Sequence, residues 1–342
     1  MATSPSPSRP PVLDVCTVFS ETKRIINAHS RHFLALSVLF ILPLSFSFVV
    51  FPTLQDLLID PIPNNSQIFT ALTDFVPQLE LQDQPTVSAK TLFLALAYSV
   101  LTFVFSLCAI GSITYSVFHG FYGRPVKLVS AIKSIFFSFF PLLGTLIVAQ
   151  IIVFAIAILF AIFLFLVITG IDFLGFETDL SSPYVLVLFV ILMIVLISVL
   201  LYLQTIWNLA FVVVVLESSW GLQPLRRSGN LLKGMRRVAF SMMLFFVSFA
   251  AISLLASFST VRVVGVSDGW KSWQFVVEIV GTSSFLTLVM LYNFAANTVL
   301  YMYCKAIQGE LAFEIVEEFA REYVCLPFDD EKVPHVVSVV YT

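Results

Sequence analysis

The sequence predicts an all-α fold: a polytopic membrane helix bundle of six transmembrane helices with three cytosolic juxtamembrane amphipathic helices. Three observations lead there. The 342-residue chain is 59% hydrophobic and 11% charged, with 36 Phe and a net charge of −3, whereas soluble domains carry roughly 25% charged residues. Six continuous apolar runs match or exceed the roughly 20 helical residues that cross a bilayer. The Lys and Arg residues crowd onto alternate loops. Runs without apolar–polar alternation exclude a β-barrel.

Residues 1–12, opening MATSPSPSRPP, are too polar and Pro-rich to form a core and read as a disordered tail with proline-directed phosphosites at Ser4 and Ser6. The membrane domain occupies 13–304. Its first amphipathic segment is DVCTVFSETKRIINAHSR. At about 100° per residue, Val15, Val18, Phe19, Thr22, Ile25, Ile26 and His29 share one face, and Ser20, Lys23, Arg24, Asn27 and Arg31 the other. Asp14 is its expected N-cap. The first span, Phe33–Phe51, starts too late and runs too long for a cleavable signal peptide, so it is expected to remain as an anchor. Pro52 to Lys90 form an acidic loop with the chain's one Asn-x-Ser sequon, at Asn64.

The second span is Thr91–Phe118, and a second amphipathic segment, RPVKLVSAIKSIFF, follows it. Pro125 suits its first helical position, with Leu128, Val129, Ile132, Ile135 and Phe136 on its apolar side. The third and fourth spans, Pro141–Thr169 and Pro183–Leu216, are longer than a bilayer requires, which predicts tilt or extension beyond it. The third amphipathic segment starts at Pro224. Leu225, Leu231, Leu232, Met235 and Val238 line one side, opposite Arg226, Asn230, Lys233 and Arg237. Spans five and six are Val238–Val261 and Gln274–Cys304. Three units of amphipathic helix, span, loop and span therefore repeat from about Asp14, Pro125 and Pro224. Such helices are expected to lie in the headgroup plane with apolar faces down. The tail, 305–342, holds an acidic amphipathic helix, GELAFEIVEEFAREYV, with Glu314, Glu317, Glu318 and Glu322 on its outer side. It is a candidate dock for a protein partner or for the basic fourth loop.

Fifteen of the eighteen Lys and Arg residues fall on the N-terminal tail, the second and fourth loops and the C-terminal tail. Only Lys90, Arg262 and Lys271 fall on the other side. Positive charge is retained in the cytosol, so both termini are expected there. The expected location is the endoplasmic reticulum or another endomembrane, with the plasma membrane as the alternative.

The run VVVVLESSWGLQPLRRSGNLLKG, Val212–Gly234, resembles a pattern of short apolar end, Glu, Gly-Leu, Leu-x-x-Ser and Lys-Gly in a plant family of uncharacterised multi-spanning transmembrane proteins. TVLYMYCKAIQGE from Thr298 is similar to that family too. The fourth-loop run also resembles the membrane domain of bacterial glycerophosphodiester phosphodiesterases. Pro224 stands where Ala is usual. The resemblance implies a helical bundle of about six spans and carries no activity over, because the hydrolytic domain of the bacterial enzymes has no counterpart here.

Catalytic motifs are missing. The four His residues (29, 32, 119 and 335) form no metal-ligand helix, and His29-x-x-His32 offers too few ligands. Cys16, Cys108, Cys304 and Cys325 lack paired spacing. Cys304 sits at a membrane edge as a small hydrophobe or a palmitoylation site. No nucleophile elbow or phosphate-binding loop is present. No enzyme activity, cofactor, metal or nucleic-acid partner is expected. The candidate residues are of two kinds. Arg226, Arg227, Lys233, Arg236 and Arg237 form a basic patch suited to anionic lipid, or serve only to set topology. Gln150, Gln204, Asn208, Asn293 and Asn297 are intramembrane amides that either bond neighbouring helices or line a path. Glu278, the one carboxylate in a span, lies near a span end, too shallow for proton coupling. The expected function is therefore to organise or sense membrane lipid; the rival is transport of a small solute or lipid.

The topology is testable directly. Tags on both termini should be protease-accessible in intact microsomes, and a glycan acceptor near Asn64, but not near Arg226, should gain an endoglycosidase-sensitive mass. Protection of either tag, or the reverse glycan pattern, contradicts six spans with cytosolic ends.

Overall fold

Proline and polar punctuation cut this apolar chain into helices whose breaks matter more than their lengths. The computed structural model describes residues 14–58, 89–124, 126–173, 183–264 and 273–311. Ser4, Ser6, Asn64, Pro125, Cys325 and the acidic helix around Glu314–Glu322 lie outside them. Every regular element among the described residues is helical: α1 (Val15–Ala28), α2 (Ser30–Leu36), α3 (Leu42–Leu58), α4 (Ala89–Phe121), α5 (Leu128–Phe173), α6 (Pro183–Trp207), α7 (Ala210–Glu217), α8 (Leu222–Leu231), α9 (Arg236–Val264) and α10 (Trp273–Ile307). Six helical stretches are long and apolar enough to cross a membrane. They agree with the six sequence spans, and the chain is an integral membrane protein.

The first span is α2 and α3 joined by a π turn at Ser37–Ile41. Pro43 explains it. A proline has no N–H for the carbonyl one turn back and its ring crowds that carbonyl. The chain widens there, and Leu42 N–H reaches the Ser37 carbonyl five residues earlier.

Asp14 is the N-cap of α1, as expected, although its side chain makes no capping bond. Val18, Thr22, Ile25 and Ile26 of α1 are buried, and Lys23 and Arg24 are exposed. The faces are those read from the sequence; their partner is not. α1 packs its apolar face on α10 and α4 rather than lying on lipid. α8 does the same, with Leu225, Leu231 and Leu232 nearly fully buried. An apolar stripe is satisfied equally by hydrocarbon or by protein, so periodicity alone does not choose between them.

The second amphipathic segment differs again. It is no separate element: helix α5 starts at Leu128 and continues through Pro141 for 46 residues, about 69 Å at about 1.5 Å per residue. Its predicted apolar side is largely turned outward, with Val129 and Phe136 at 76% and 75% exposure. Pro224 is also displaced from its expected place. It is the third residue of α8, still within the first turn, where a missing N–H costs no helical bond.

The fourth span is broken. α6 stops at Trp207 and α7 begins at Ala210, with Asn208 and Leu209 between. α8 then returns alongside α7, and the Ser228 hydroxyl donates to the Ile206 carbonyl at 2.5 Å. The next residue, Gly229, has no side chain for a reason: a Cβ there would stand 3.1 Å from Ile206 Cγ2. The main core collects at this basic end of the bundle, where Val18, Ile113, Leu209, Val213, Leu232, Ala296 and Tyr301 meet. At the opposite end α5 and α6 are bare, and no residue of their most apolar stretches is buried. Two cross-helix bonds tie the first span in: His32 Nε2 to Ser116 Oγ at 2.9 Å, and Ser45 Oγ to Thr287 Oγ1 at 2.6 Å.

Ser228→Ala leaves the Ile206 carbonyl without its partner and should cost about 1–3 kcal/mol. Ser248→Ala, an exposed residue bonded to its own helix, should be near neutral. Thermal unfolding of the full-length protein in mild detergent compares them, and equal shifts contradict the role given to Ser228.

Candidate functional site at the fourth-loop hairpin

The hairpin of α7 and α8 draws together most of the polar side chains at the basic end. α7 ends at Glu217, and Ser218 follows in the left-handed region at φ 51°. Gly221, at φ 76° and ψ −128°, adopts a conformation that only glycine takes without strain. Its N–H donates to Thr145 Oγ1 at 3.1 Å, and that hydroxyl donates in turn to the Pro141 carbonyl at 2.9 Å. Beside this bond the exposed Trp220 ring lies against Gly144. The turn is thereby fastened to α5.

Behind the turn is an ion network. Arg227 Nε donates to Glu217 at 3.4 Å, and its two terminal nitrogens pair with both oxygens of Glu310. Tyr301 donates its hydroxyl to Glu217 at 2.8 Å. The Glu310 hydrogen bonds, with help from the Glu217 charge, hold the Arg227 guanidinium above its ordinary value, and partial burial works against them. Gln308 Nε2 donates to the Asn230 and Leu231 carbonyls at 3.2 and 3.0 Å and so closes the last turn of α8.

The break in the fourth span carries a second network. Asn208 Nδ2 donates to Asn297 Oδ1 at 2.7 Å, and Asn297 Nδ2 donates to Asn293 Oδ1 at 3.1 Å. The expected sharing of one face by Asn293 and Asn297 is seen, and Asn208 joins them. Gln150 and Gln204 do not, because both are exposed. The five amides form no continuous internal path.

The five cations of the fourth loop also divide. Arg227 faces inward between two carboxylates. Arg236 donates to the Tyr202 hydroxyl at 3.0 Å and lies 6.0 Å from its ring centre. Arg226, Lys233 and Arg237 are exposed and make no ion pair among the described residues. Cys304 is buried at 1% exposure, its thiol 3.8 Å from the Met235 sulfur, as a small hydrophobe would be. Glu278 accepts from Thr282 at 3.2 Å. No metal-binding cluster occurs among the described residues.

Sequence reasoning quoted Glu217 within the fourth-loop pattern without giving it a partner, and it passed over Tyr301 and Glu310. One signal was available: a lone Glu at the end of an apolar run needs a cation or a donor. Two cavities also escaped it. One is an apolar groove of about 330 Å³ between α1, α9 and α10, walled by Phe19, Phe245, Phe249, Phe285 and Leu288 with Lys23 at its rim. The other is an open cleft of about 320 Å³ between α4, α5 and α7, lined by both hydroxyl-bearing and apolar side chains.

Arg227→Gln leaves Glu217 and Glu310 facing each other without their shared cation. It should lower stability by about 1.5–3 kcal/mol, the range for hydrogen bonds to charged groups. Arg226→Gln, one residue away on the exposed side, should change it little. Denaturation midpoints in detergent decide, and indistinguishable variants would remove the network's structural role.

The profile of one family, described as a domain of unknown function (DUF8558), matches residues 10–333. No curated protein and no solved structure matches the chain.

Proposed function

This chain belongs to the DUF8558 family, and we propose that it is a non-enzymatic membrane protein that gathers anionic lipid at its basic end. The observation that carries this reading is the aromatic groove with Lys23 at its rim. Phe245, Phe249, Phe285 and Leu288 are each exposed by 40% or more, so the groove opens onto hydrocarbon. Phe19 of α1 closes it from the basic end, 5.1 Å from the Phe245 ring.

An acyl chain entering the groove from a bilayer exchanges one apolar surrounding for another, so it gains packing and little else. Selection must come from the headgroup. An anionic group above the groove meets Lys23, and Arg226, Lys233 and Arg237 add exposed charge elsewhere at that end, at about 1 kcal/mol per cation. The lipid reading is supported over transport by the amides, since Asn208, Asn293 and Asn297 bond one another. The positive-inside asymmetry supports placing this end in the cytosol. The fourth-loop resemblance supports a plant origin, and the proposed location is an endomembrane, the endoplasmic reticulum in the first instance. A protein partner at the acidic tail remains part of the same proposal.

The test is lipid retention by the full-length protein extracted in mild detergent from bilayers of phosphatidylcholine with phosphatidylserine, read by native mass spectrometry. Phosphatidylserine should be enriched. Lys23→Gln should cut the enrichment about fivefold, and Leu288→Trp, which fills the groove, should reduce retention of both lipids. Retention that mirrors the bilayer composition and ignores Lys23 would reject the proposal.

A further inference from the structure

Hydroxyl side chains in apolar helices ordinarily turn back on their own backbone. This chain follows the habit: Ser37, Ser112, Ser116, Thr205, Ser248 and Thr298 each donate to the carbonyl four residues earlier. Ser130, Ser134 and Ser138 depart from it. Spaced four apart, they share one face of α5, and none of their hydroxyls has a hydrogen-bond partner among the described residues. Ser138 is only 6% exposed. Its Oγ is nevertheless not sealed within the protein; it opens onto the space lined by residues such as Lys133 and Ser134, where an incoming group can bond it.

All three serines line the open cleft of about 320 Å³ between α4, α5 and α7, together with Lys133 and Tyr115 on its polar side. Lys133 is the one charged residue in that lining. Its ammonium offers three donors and no acceptor, so the site repels cations and favours a group rich in acceptor oxygens. Phe137 and Pro141 continue the same wall. From there Phe137 and Phe140 are exposed along the apolar outer face of α5. The volume lies at the lower end of ligand sites, roughly 300–1,000 Å³. It suits one small headgroup and not a whole lipid.

We propose that this cavity binds the phosphate of a phospholipid headgroup, with Lys133 supplying charge, Ser130, Ser134 and Ser138 supplying hydrogen bonds, and the lipid chains passing out over Phe137. The inference rests on the lipid reading above and adds to it a second site, distinct from the Lys23 groove and selective for phosphate. A water-soluble phosphate ester shares the chemistry but makes no use of the apolar wall.

The experiment takes the full-length protein in mild detergent and titrates dioctanoyl phosphatidic acid, dioctanoyl glycerol and glycerol 3-phosphate, with binding read by native mass spectrometry. Phosphatidic acid should bind, and the two probes lacking either phosphate or chains should bind at least about tenfold more weakly. Lys133→Gln and Ser138→Val should each weaken phosphatidic acid about tenfold or more, while the phosphatidylserine enrichment that depends on Lys23 stays unchanged. Ser134→Ala, which removes one free hydroxyl and no intramolecular bond, guards against misfolding and should give a smaller loss in the same direction. Phosphatidic acid binding that ignores all three variants overturns the site, and equal binding of glycerol 3-phosphate overturns its lipid source. Loss of the Lys23-dependent enrichment as well would bring down the lipid reading itself.

Discussion

Hydrocarbon offers no partner to a free peptide group, and the basic end of this protein is organised around that constraint. The fourth span breaks after Trp207, which frees backbone groups beside two apolar helices. Ser228 takes up the Ile206 carbonyl, and the Asn208 side chain finds Asn297. Both solutions require the chain to double back. The return of α8 along α7 fixes the Gly221 turn on Thr145 and leaves Arg227 between Glu217 and Glu310. Thus one interruption in one helix determines where the amides, the ion network and the exposed cations lie.

The same arrangement divides the molecule into two mechanical halves. At the basic end, side chains from all six spans interdigitate with α1 and α8, and the buried residues include Ala295, Ala296, Thr298 and Val299 on a single stretch of α10. Small residues of this kind let helix backbones approach, which is how helices associate when no water drives them together. At the other end the third and fourth spans make little contact with each other among the described residues. Their surface is left to lipid.

Much of this was legible in the sequence, and the reasons are physical. Six spans follow from length and hydropathy, and the faces of α1 and α8 follow from periodicity, because both properties are local. The helix break was not legible. Gln204 to Ala210 contain neither proline nor glycine, and the interruption is held by Ser228 and Asn297, residues distant along the chain. Partner choice was hidden for the same reason: Val18 and Leu232 would suit a membrane surface as well as the core they enter. Arg226 and Arg227 are adjacent and chemically alike, yet one meets solvent and the other two carboxylates. The unbonded serines of α5 are the furthest from sequence reasoning, since a hydroxyl's failure to bond its own helix is a property of the fold.

The partners that complete the broken span are made at different times. Ser228 follows Ile206 by 22 residues, so the carbonyl is satisfied soon after α6 leaves the ribosome. Asn297 follows Asn208 by 89 residues and arrives only with the sixth span. Synthesis runs from the N-terminus, and the Asn208 amide therefore waits through the insertion of the fifth span. Insertion of the sixth span is the step that supplies the partner of the fourth.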